Sequence, residues 1–264
     1  MILDDIYASA IKRVATAKKT ISLAEMRHRA FEMQIGHFRF ETALREPDIS
    51  FICEVKKASP SKGVIAEDFP YLDIAREYEA AGASAISVLT EPDFFRGSNS
   101  YLSEIREQVK IPLLRKDFTV DEYQLYEAKV IGADAVLLIC ALLDIETIRQ
   151  YLEICDRLGI SALVEAHTKQ EVESAVAIGA RIIGVNNRNL KTFEVNLETC
   201  AKLRPFVPEE TLFVAESGIK TSDNIAILCQ AGVDAVLIGE TLMRSNNKRA
   251  ALKNLREGVH CDKN

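Results

Sequence analysis

From Ile49 onward, short apolar stretches of β type alternate with amphipathic helical stretches. This alternation is typical of repeated βα units that build a parallel sheet. The pattern predicts eight strands, over residues 50–56, 85–89, 112–116, 135–139, 162–165, 182–185, 212–216 and 235–238. Helices are predicted after them, near residues 72–81, 101–109, 121–131, 144–157, 168–178, 198–203, 222–230 and 248–256. Eight strand–helix pairs in a chain of 264 residues predict a (β/α)8 barrel, a fold that takes roughly 250 residues.

The residues before the first strand have a different character. Apolar residues recur at helical spacing up to about residue 46, and Ser22 with Glu25 matches a capping box before a second helical run. We therefore expect an α/β protein, a single (β/α)8 TIM-barrel domain over residues 1–264, of which residues 1–47 form an N-terminal helical extension. A doubly wound open sheet is the alternative fold, although no GxGxxG motif follows the first strand.

Four predicted helices end at a glycine just before the next strand. These glycines are Gly82, Gly132, Gly179 and Gly232, spaced about two βα units apart. Glycine favours the left-handed conformation that ends many helices because it has no Cβ. The repeat supports the architecture and carries no information about chemistry.

Charge and composition exclude several classes of protein. The net charge of -6 argues against binding to nucleic acids or a membrane surface, since either class normally has a basic patch. No apolar stretch reaches membrane-spanning length, and Asp4 and Asp5 stand where a signal peptide needs basic residues. We expect a cytoplasmic monomer. The six cysteines show no CxxC spacing and are expected to be reduced, and His167 beside Glu165 is interpreted as a loop residue rather than part of a metal site.

Polar side chains collect at the predicted carboxyl ends of the strands, where barrel enzymes carry their active sites. They are Glu54 and Lys56 in strand 1, Lys116 in strand 3, Glu165 in strand 5, Asn186 and Arg188 after strand 6, and Glu216 in strand 7. Because side chains alternate along a strand, the five charges on strands 1, 3, 5 and 7 all face inward. One such charge alone is more often a rim residue or half of an ion pair, but the shared direction favours a functional site. Lys57 and Arg115 have the opposite parity and are predicted to be structural.

Glycines follow the last two predicted strands, in Ser217-Gly218 and Gly239-Glu240. The loops after strands 7 and 8 of a barrel often bind phosphate, because a bare backbone lets N–H groups reach the oxygens. The alternative is that these glycines only shape turns. Their placement favours a small phosphorylated ligand. Phe95 and Phe118 lie in loops over the same mouth, where they can stack on an aromatic ring or pack the loops down.

Together these residues resemble the indole-3-glycerol-phosphate synthase family. The resemblance covers nearly the whole chain, including the helical extension and the segments 54–61, 88–90, 94–98, 114–118, 163–165, 183–190, 215–219 and 237–239. The motifs Glu54-Val55-Lys56-Lys57-Ala58-Ser59-Pro60-Ser61 and Leu114-Arg115-Lys116-Asp117-Phe118 are the specific ones. The glycine motifs are shared by many phosphate-binding barrels.

The resemblance implies ring closure of 1-(2-carboxyphenylamino)-1-deoxyribulose 5-phosphate, with loss of carbon dioxide and water, in tryptophan biosynthesis. It implies no metal and no organic cofactor. Lys116 would be the general acid at the substrate carbonyl oxygen and Glu165 the acid/base partner of the dehydration. The other implied roles are Glu54 and Lys56 beside that pair, Asn186 and Arg188 orienting substrate and carboxylates, Ser59 and Glu216 lining the pocket, Ser217, Gly218, Gly239 and Glu240 holding the phosphate by their backbone, and Phe95 and Phe118 forming an apolar wall.

Cations and burial lower the pKa of Lys116 while carboxylates raise it, and the sequence does not decide between them. Glu240 departs from the family, which often has a small residue there, and its side chain is expected to point to solvent. A Schiff-base aldolase, which would also use a strand-end lysine, and a phosphate-ligand-binding barrel without catalysis are the alternative functions.

Overall fold

The computed structural model describes residues 2–189 and 192–257, so Leu190 and Cys261 lie outside the described residues. Eight parallel strands form a closed barrel: β1 (Ser50–Val55), β2 (Ala85–Leu89), β3 (Leu113–Lys116), β4 (Ala135–Ile139), β5 (Ser161–Ala166), β6 (Ile182–Asn186), β7 (Leu212–Glu216) and β8 (Ala235–Ile238). The barrel closes where β1 pairs with β8, with Ser50 opposite Ala235. The predicted (β/α)8 barrel is confirmed, and the open sheet is wrong.

The described helices are α1 (Ile2–Thr20), α2 (Leu23–Glu32), α3 (Arg39–Leu44), α4 (Tyr71–Ala80), α5 (Asn99–Gln108), α6 (Tyr123–Val130), α7 (Ile145–Leu158), α8 (Lys169–Ala177), α9 (Glu198–Leu203), α10 (Ser222–Gln230), α11 (Glu240–Met243) and α12 (Lys248–Arg256). The pattern did not predict α11, nor the two-residue antiparallel pair Ala58–Ser59 and Gly63–Val64. Both are too short to show a periodicity.

The strands are apolar on both sides because each packs against two cores. Phe51 and Cys53 of β1 belong to the cluster between barrel and helices, while Ile52 belongs to the cluster inside the barrel. This alternation is what the side-chain period of a strand requires. The interior cluster also contains Phe40 and Leu44 of α3, both fully buried. The extension therefore contributes directly to the interior of the barrel.

Local signals from the sequence are confirmed at several helix ends. The hydroxyl of Ser22 accepts a hydrogen bond from the backbone N–H of Glu25, as an N-cap does. The four glycines that end helices before strands all have positive φ, from 73° to 91°. A side chain at these positions would be strained, so glycine both ends the helix and turns the chain into the next strand.

The cysteines follow the expectation only in part. Cys53, Cys140, Cys155 and Cys200 are free thiols, as predicted. Cys229 is disulfide-bonded, so the prediction of a reduced thiol is wrong at that residue. No helix in the described part of the chain combines the length and apolar character needed to cross a bilayer.

Candidate active site

A pocket of about 880 Å³ opens at the carboxyl ends of the barrel strands. It is lined by all fourteen residues predicted for the site, namely Glu54, Lys56, Ser59, Phe95, Lys116, Phe118, Glu165, Asn186, Arg188, Glu216, Ser217, Gly218, Gly239 and Glu240. The closed barrel brings them together because parallel strands end at the same rim. Their common placement is a fact of the structure, while their individual roles remain predictions.

Lys116 lies at the centre of the charged cluster. Its Nζ atom is 3.2 Å from Oε2 of Glu165 and 3.1 Å from Oε2 of Glu216, so one ammonium joins the ends of β3, β5 and β7. Burial lowers the pKa of Lys116, but the negative charges of Glu216 and Glu165 outweigh it and raise the pKa above its ordinary value. The two carboxylates therefore determine the direction of the pKa shift, which the sequence alone did not show. Lys116 carries a positive charge.

The two carboxyl groups around Lys116 titrate differently. Burial raises the pKa of Glu165, yet the charges of Lys116 and His167 dominate and hold it well below its usual range. For Glu216, burial and the neighbouring charge of Glu165 exceed the attraction of Lys116 and raise the pKa to about 7. Oε1 of Glu216 is buried and has no hydrogen-bond partner among the described residues. The cluster therefore contains one fixed carboxylate and one carboxyl group that binds a proton near neutral pH.

Two glycines create the space that the carboxylates occupy. A Cβ on Gly239 would lie 2.2 Å from Oε2 of Glu54, which is paired with Lys56 on the inner face of β1. A Cβ on Gly184 would lie 2.4 Å from Oε1 of Glu216. Any side chain at either position would displace a charged residue of the site. A glycine inside a predicted strand is the sequence signal for such a close approach.

Asn186 and Arg188 extend the cluster beyond β6. The side-chain amide of Asn186 donates to Oε1 of Glu165 at 3.4 Å, and its carbonyl oxygen accepts from the backbone N–H of Arg188 at 3.0 Å. The guanidinium of Arg188 donates to the carbonyl oxygen of Phe193 at 3.2 Å. Asn186 is therefore placed to fix the direction in which the Glu165 carboxylate points.

The two glycine loops lie side by side at the pocket. Ser217 and Gly218, directly after β7, both have positive φ, at 68° and 82°. A serine in this conformation is uncommon, and such backbone strain is concentrated at functional sites. Gly239 and Glu240, after β8, line the same pocket.

The Glu240 side chain was expected to point to solvent, and its position differs from that expectation. It does not point freely into solvent: its Oε1 lies 3.1 Å from Nε of Arg244 and 3.6 Å from Nζ of Lys62. Burial raises the pKa of Glu240, but Arg244 and Lys62 outweigh it and lower the pKa below its ordinary value. An ionised carboxylate therefore stands between two cations at the rim of the pocket.

The apolar side of the pocket contains the two predicted phenylalanines. The rings of Phe95 and Phe118 have centroids 5.9 Å apart and are tilted by 39°. Leu3 and Ile6 of α1 line the pocket as well. No pattern in the sequence predicts this second contribution, because a helical extension can dock anywhere on a barrel.

Two further residues beside the site were missed. His167, interpreted as a loop residue, has its Nε2 atom 3.3 Å from Oε1 of Glu165. The available signal was its position two residues after Glu165, which places both on one face of an extended chain. Asp117 accepts two hydrogen bonds from Arg13 of α1, at 2.8 and 2.9 Å, and nothing in the sequence pairs these distant residues. Among residues 2–189 and 192–257, no group of three or more His, Cys, Asp and Glu has a metal-binding arrangement.

The fold and the pocket define a class: a (β/α)8-barrel protein with a buried lysine–carboxylate cluster at the carboxyl ends of its strands. Within it, the family model described as indole-3-glycerol phosphate synthase matches residues 3–255. The chain belongs to this family.

Two named relatives agree with that assignment, and two solved structures share the fold. A protein of Ruminiclostridium cellulolyticum named indole-3-glycerol phosphate synthase is 56% identical, covering 97% of this chain and 99% of that protein. One of the same name from Endomicrobium trichonymphae is 55% identical, covering 97% of this chain and 100% of that protein. A crystal structure of 3-hexulose-6-phosphate synthase has a TM-score of 0.64 at 17% identity, covering 80% of this chain and 100% of that chain. A thiamine phosphate pyrophosphorylase from Pyrococcus furiosus has a TM-score of 0.61 at 20% identity, covering 81% of this chain and 96% of that chain. These two likenesses concern the fold alone.

Proposed function

We propose that this protein is an indole-3-glycerol phosphate synthase. It closes the indole ring of 1-(2-carboxyphenylamino)-1-deoxyribulose 5-phosphate with loss of carbon dioxide and water, a step of tryptophan biosynthesis. The observation that carries the proposal is the Lys116 ammonium held between Glu165 and Glu216, in a chain that matches the family over residues 3–255. Such a cluster supplies a proton donor and a proton acceptor within a few ångströms of each other.

In the first step, the ring carbon that carries the substrate carboxylate attacks the carbonyl carbon of the sugar chain. Negative charge develops on the carbonyl oxygen, and Lys116 both stabilises it and donates the proton. The new carbon–carbon bond leaves a ring carbon that regains aromaticity by losing carbon dioxide. Glu165, held ionised, then accepts the proton from the neighbouring carbon and passes it to the departing hydroxyl group, which leaves as water. Before the reaction, the carboxylate–lysine pairs hold donor and acceptor in place.

Substrate binding uses the rest of the pocket. Lys56 and Arg188 offer positive charge to an anionic substrate, and Glu54 holds Lys56 on the inner face of β1. The phosphate would lie at the backbone of Ser217 and Gly218 and of their neighbours after β8. The aromatic ring of the substrate would rest against Phe95 and Phe118, with Ser59 beside it.

The organisation of the chain is part of the proposal. Residues 1–264 form a single domain, and the extension of residues 1–47 is an integral part of it. Phe40 and Leu44 in the interior cluster support this, because removing them would leave that cluster incomplete. We further propose a cytoplasmic monomer that acts on a small phosphorylated substrate, without nucleic-acid or membrane partners.

A Schiff-base aldolase fits the site less well. Imine formation needs a neutral amine, whereas two carboxylates raise the pKa of Lys116 and keep it charged. Borohydride added with a carbonyl substrate distinguishes the two functions. Covalent capture at Lys116 would support the aldolase, and its absence, together with turnover, supports the synthase.

The direct test supplies the carboxyphenylamino-deoxyribulose phosphate to the purified protein and follows indole fluorescence. Wild type should turn the substrate over without added metal or cofactor, and Glu165→Gln should be at least about a hundredfold slower, as removal of a general acid–base group predicts. Binding of the substrate without any product would instead support a phosphate-ligand-binding barrel and contradict the proposal.

A further inference from the structure

His167 lies between two carboxylates at the edge of the active site. It follows β5, and its Nε2 atom is 3.3 Å from Oε1 of Glu165. Its Nδ1 atom is 3.6 Å from Oε2 of Glu171, in the first turn of α8. The imidazole is largely buried, with 15% of the side chain exposed. Neither nitrogen makes a well-aligned hydrogen bond to a described residue, so the contacts are those of a charge between two opposite charges.

Glu171 is fixed in its position independently of the imidazole. Its Oε2 atom accepts hydrogen bonds from the backbone N–H of His167 at 2.6 Å and of Thr168 at 3.2 Å. The Thr168 hydroxyl accepts from the backbone of Glu171 in return, which completes a capping box at the start of α8. Burial raises the pKa of Glu171, but His167 and the backbone donors lower it below the ordinary value. A second permanent negative charge therefore faces His167.

The charge state of His167 follows from the groups around it. Glu165 faces it from β5 and Glu171 from α8, while the thiol of Cys140, after β4, is kept neutral by burial, which raises its pKa to about 12. Burial lowers the pKa of His167, but the two carboxylates outweigh it and raise the pKa to about 10. His167 is an imidazolium at neutral pH.

The two oxygens of Glu165 have different partners. Oε2 faces Lys116 at 3.2 Å, whereas Oε1 faces His167 at 3.3 Å and the amide of Asn186 at 3.4 Å. When Lys116 donates its proton to the substrate, Glu165 loses one of its two neighbouring cations. His167 is not among the residues that line the pocket, so it is not placed to give a proton to the substrate.

We propose that His167 is a positioning residue of the reaction, a fixed cation that keeps Glu165 ionised and oriented after Lys116 has given up its proton. The inference rests on the proposed function, because it assigns a role within that reaction. Without His167, loss of the proton from Lys116 would raise the pKa of the buried Glu165, which would then be protonated before the dehydration step that needs it as a carboxylate.

The test compares His167→Gln with His167→Lys over a range of pH, using indole fluorescence. His167→Gln should lower kcat about tenfold with KM nearly unchanged, and should move the acid limb of the kcat profile up by about one pH unit, because Glu165 loses a nearby cation. His167→Lys keeps a cation at this position and should restore the acid limb. His28→Gln is the matched control, since His28 is exposed on α2, where it pairs with Glu32.

A second measurement gives its main result on the wild-type protein, and the variant serves only to assign the signal. A proton NMR titration of the four histidines should show one imidazole that stays protonated above pH 9, a signal that His167→Gln removes. All histidines titrating below pH 8, or an unchanged pH profile in His167→Gln, would overturn the inference. If wild type does not turn over at all, the proposed function fails instead, and the NMR result still reports on the charge of His167.

Discussion

At the scale of single residues, the site is organised by the balance between burial and charge. Burial alone would make Lys116 a neutral amine and Glu165 a neutral acid, but each is charged because the other lies within 3.2 Å. Glu216, which faces the same ammonium, is only partly ionised at neutral pH, because its pKa is raised to about 7. One lysine between two buried carboxylates neutralises only one of them completely.

Glu216 should give the enzyme a pH dependence near neutrality. Its pKa of about 7 means that it loses a proton as the pH rises through 7, which adds a negative charge beside an anionic substrate. KM should therefore increase above pH 7 in wild type, and the increase should be largely lost in Glu216→Gln, which resembles the protonated form. KM measured from pH 6 to pH 9 checks this, and an inflection that survives in the variant would contradict it.

Glu240 should weaken phosphate binding. Its carboxylate occupies the space between Lys62 and Arg244 and is a like charge to the substrate phosphate. Glu240→Ser should lower KM by up to about fivefold, the effect of one partly exposed charge. Inhibition by inorganic phosphate should strengthen in parallel. Glu198→Ser, on the exposed surface of α9, is the control, and a higher KM in Glu240→Ser would refute the idea.

At the scale of elements, α1 is bonded to the segment that carries Lys116, the proposed general acid. Asp117, directly after Lys116, is buried and accepts hydrogen bonds from Arg13 of α1 and from the Thr90 hydroxyl after β2, the latter at 2.7 Å. Lys18 of α1 pairs with Asp121 at 2.6 Å, in the loop before α6. The helix thus holds the end of β3 and forms part of the pocket wall.

Removing Arg13 should affect both stability and catalysis. Arg13→Ala leaves the buried Asp117 carboxylate with fewer donors, which should lower the free energy of unfolding by about 1–3 kcal/mol. Activity should fall as well, because the chain next to Lys116 is no longer held. Lys202→Ala, which breaks an exposed pair on α9, should leave both quantities unchanged. Urea unfolding measures the change in stability and indole fluorescence the change in activity. If Arg13→Ala and Lys202→Ala had the same stability and activity, the contact between Arg13 and Asp117 would not have the role described.

The elements also show which parts of the fold a sequence reveals. All eight strands and the eight helices after them could be predicted, because each is long enough to show its apolar period. The pocket residues could be predicted because strand parity and barrel geometry assign a direction to each charge. The contact between Arg13 and Asp117 could not be predicted, because it depends on where α1 docks. Docking leaves no periodic pattern in the sequence. The ion pairs of Glu240 and the charge of His167 likewise depend on distances that only the folded chain defines.

At the scale of the whole molecule, the extension and the barrel share one core. The interior cluster combines Phe40 and Leu44 of α3 with residues of the strands, and Glu41 of α3 pairs with Arg181, next to β6, at 3.0 Å. The same extension contributes α1 to the opposite, catalytic end. The barrel is therefore completed at both ends by residues that precede its first strand.

A shared core should unfold in one transition. Phe40→Ala should cost about 3–5 kcal/mol, as expected for a large side chain removed from a core, and should shift a single cooperative transition. Phe31→Ala, on α2 with 43% of the residue exposed, should cost much less. Thermal unfolding followed by circular dichroism and by activity checks this. Separate transitions for extension and barrel would contradict the single-domain proposal.

Lys116, charged between Glu165 and Glu216, is proposed to donate the proton that starts ring closure. A single-turnover experiment on Lys116→Met, with indole fluorescence as the signal, tests this role. Met preserves much of the side-chain volume but cannot donate a proton, so the rate of product formation should fall by about a hundredfold or more while the substrate still binds. A Lys116→Met variant that folds, binds the substrate and forms product at the wild-type rate would show that Lys116 is not the proton donor.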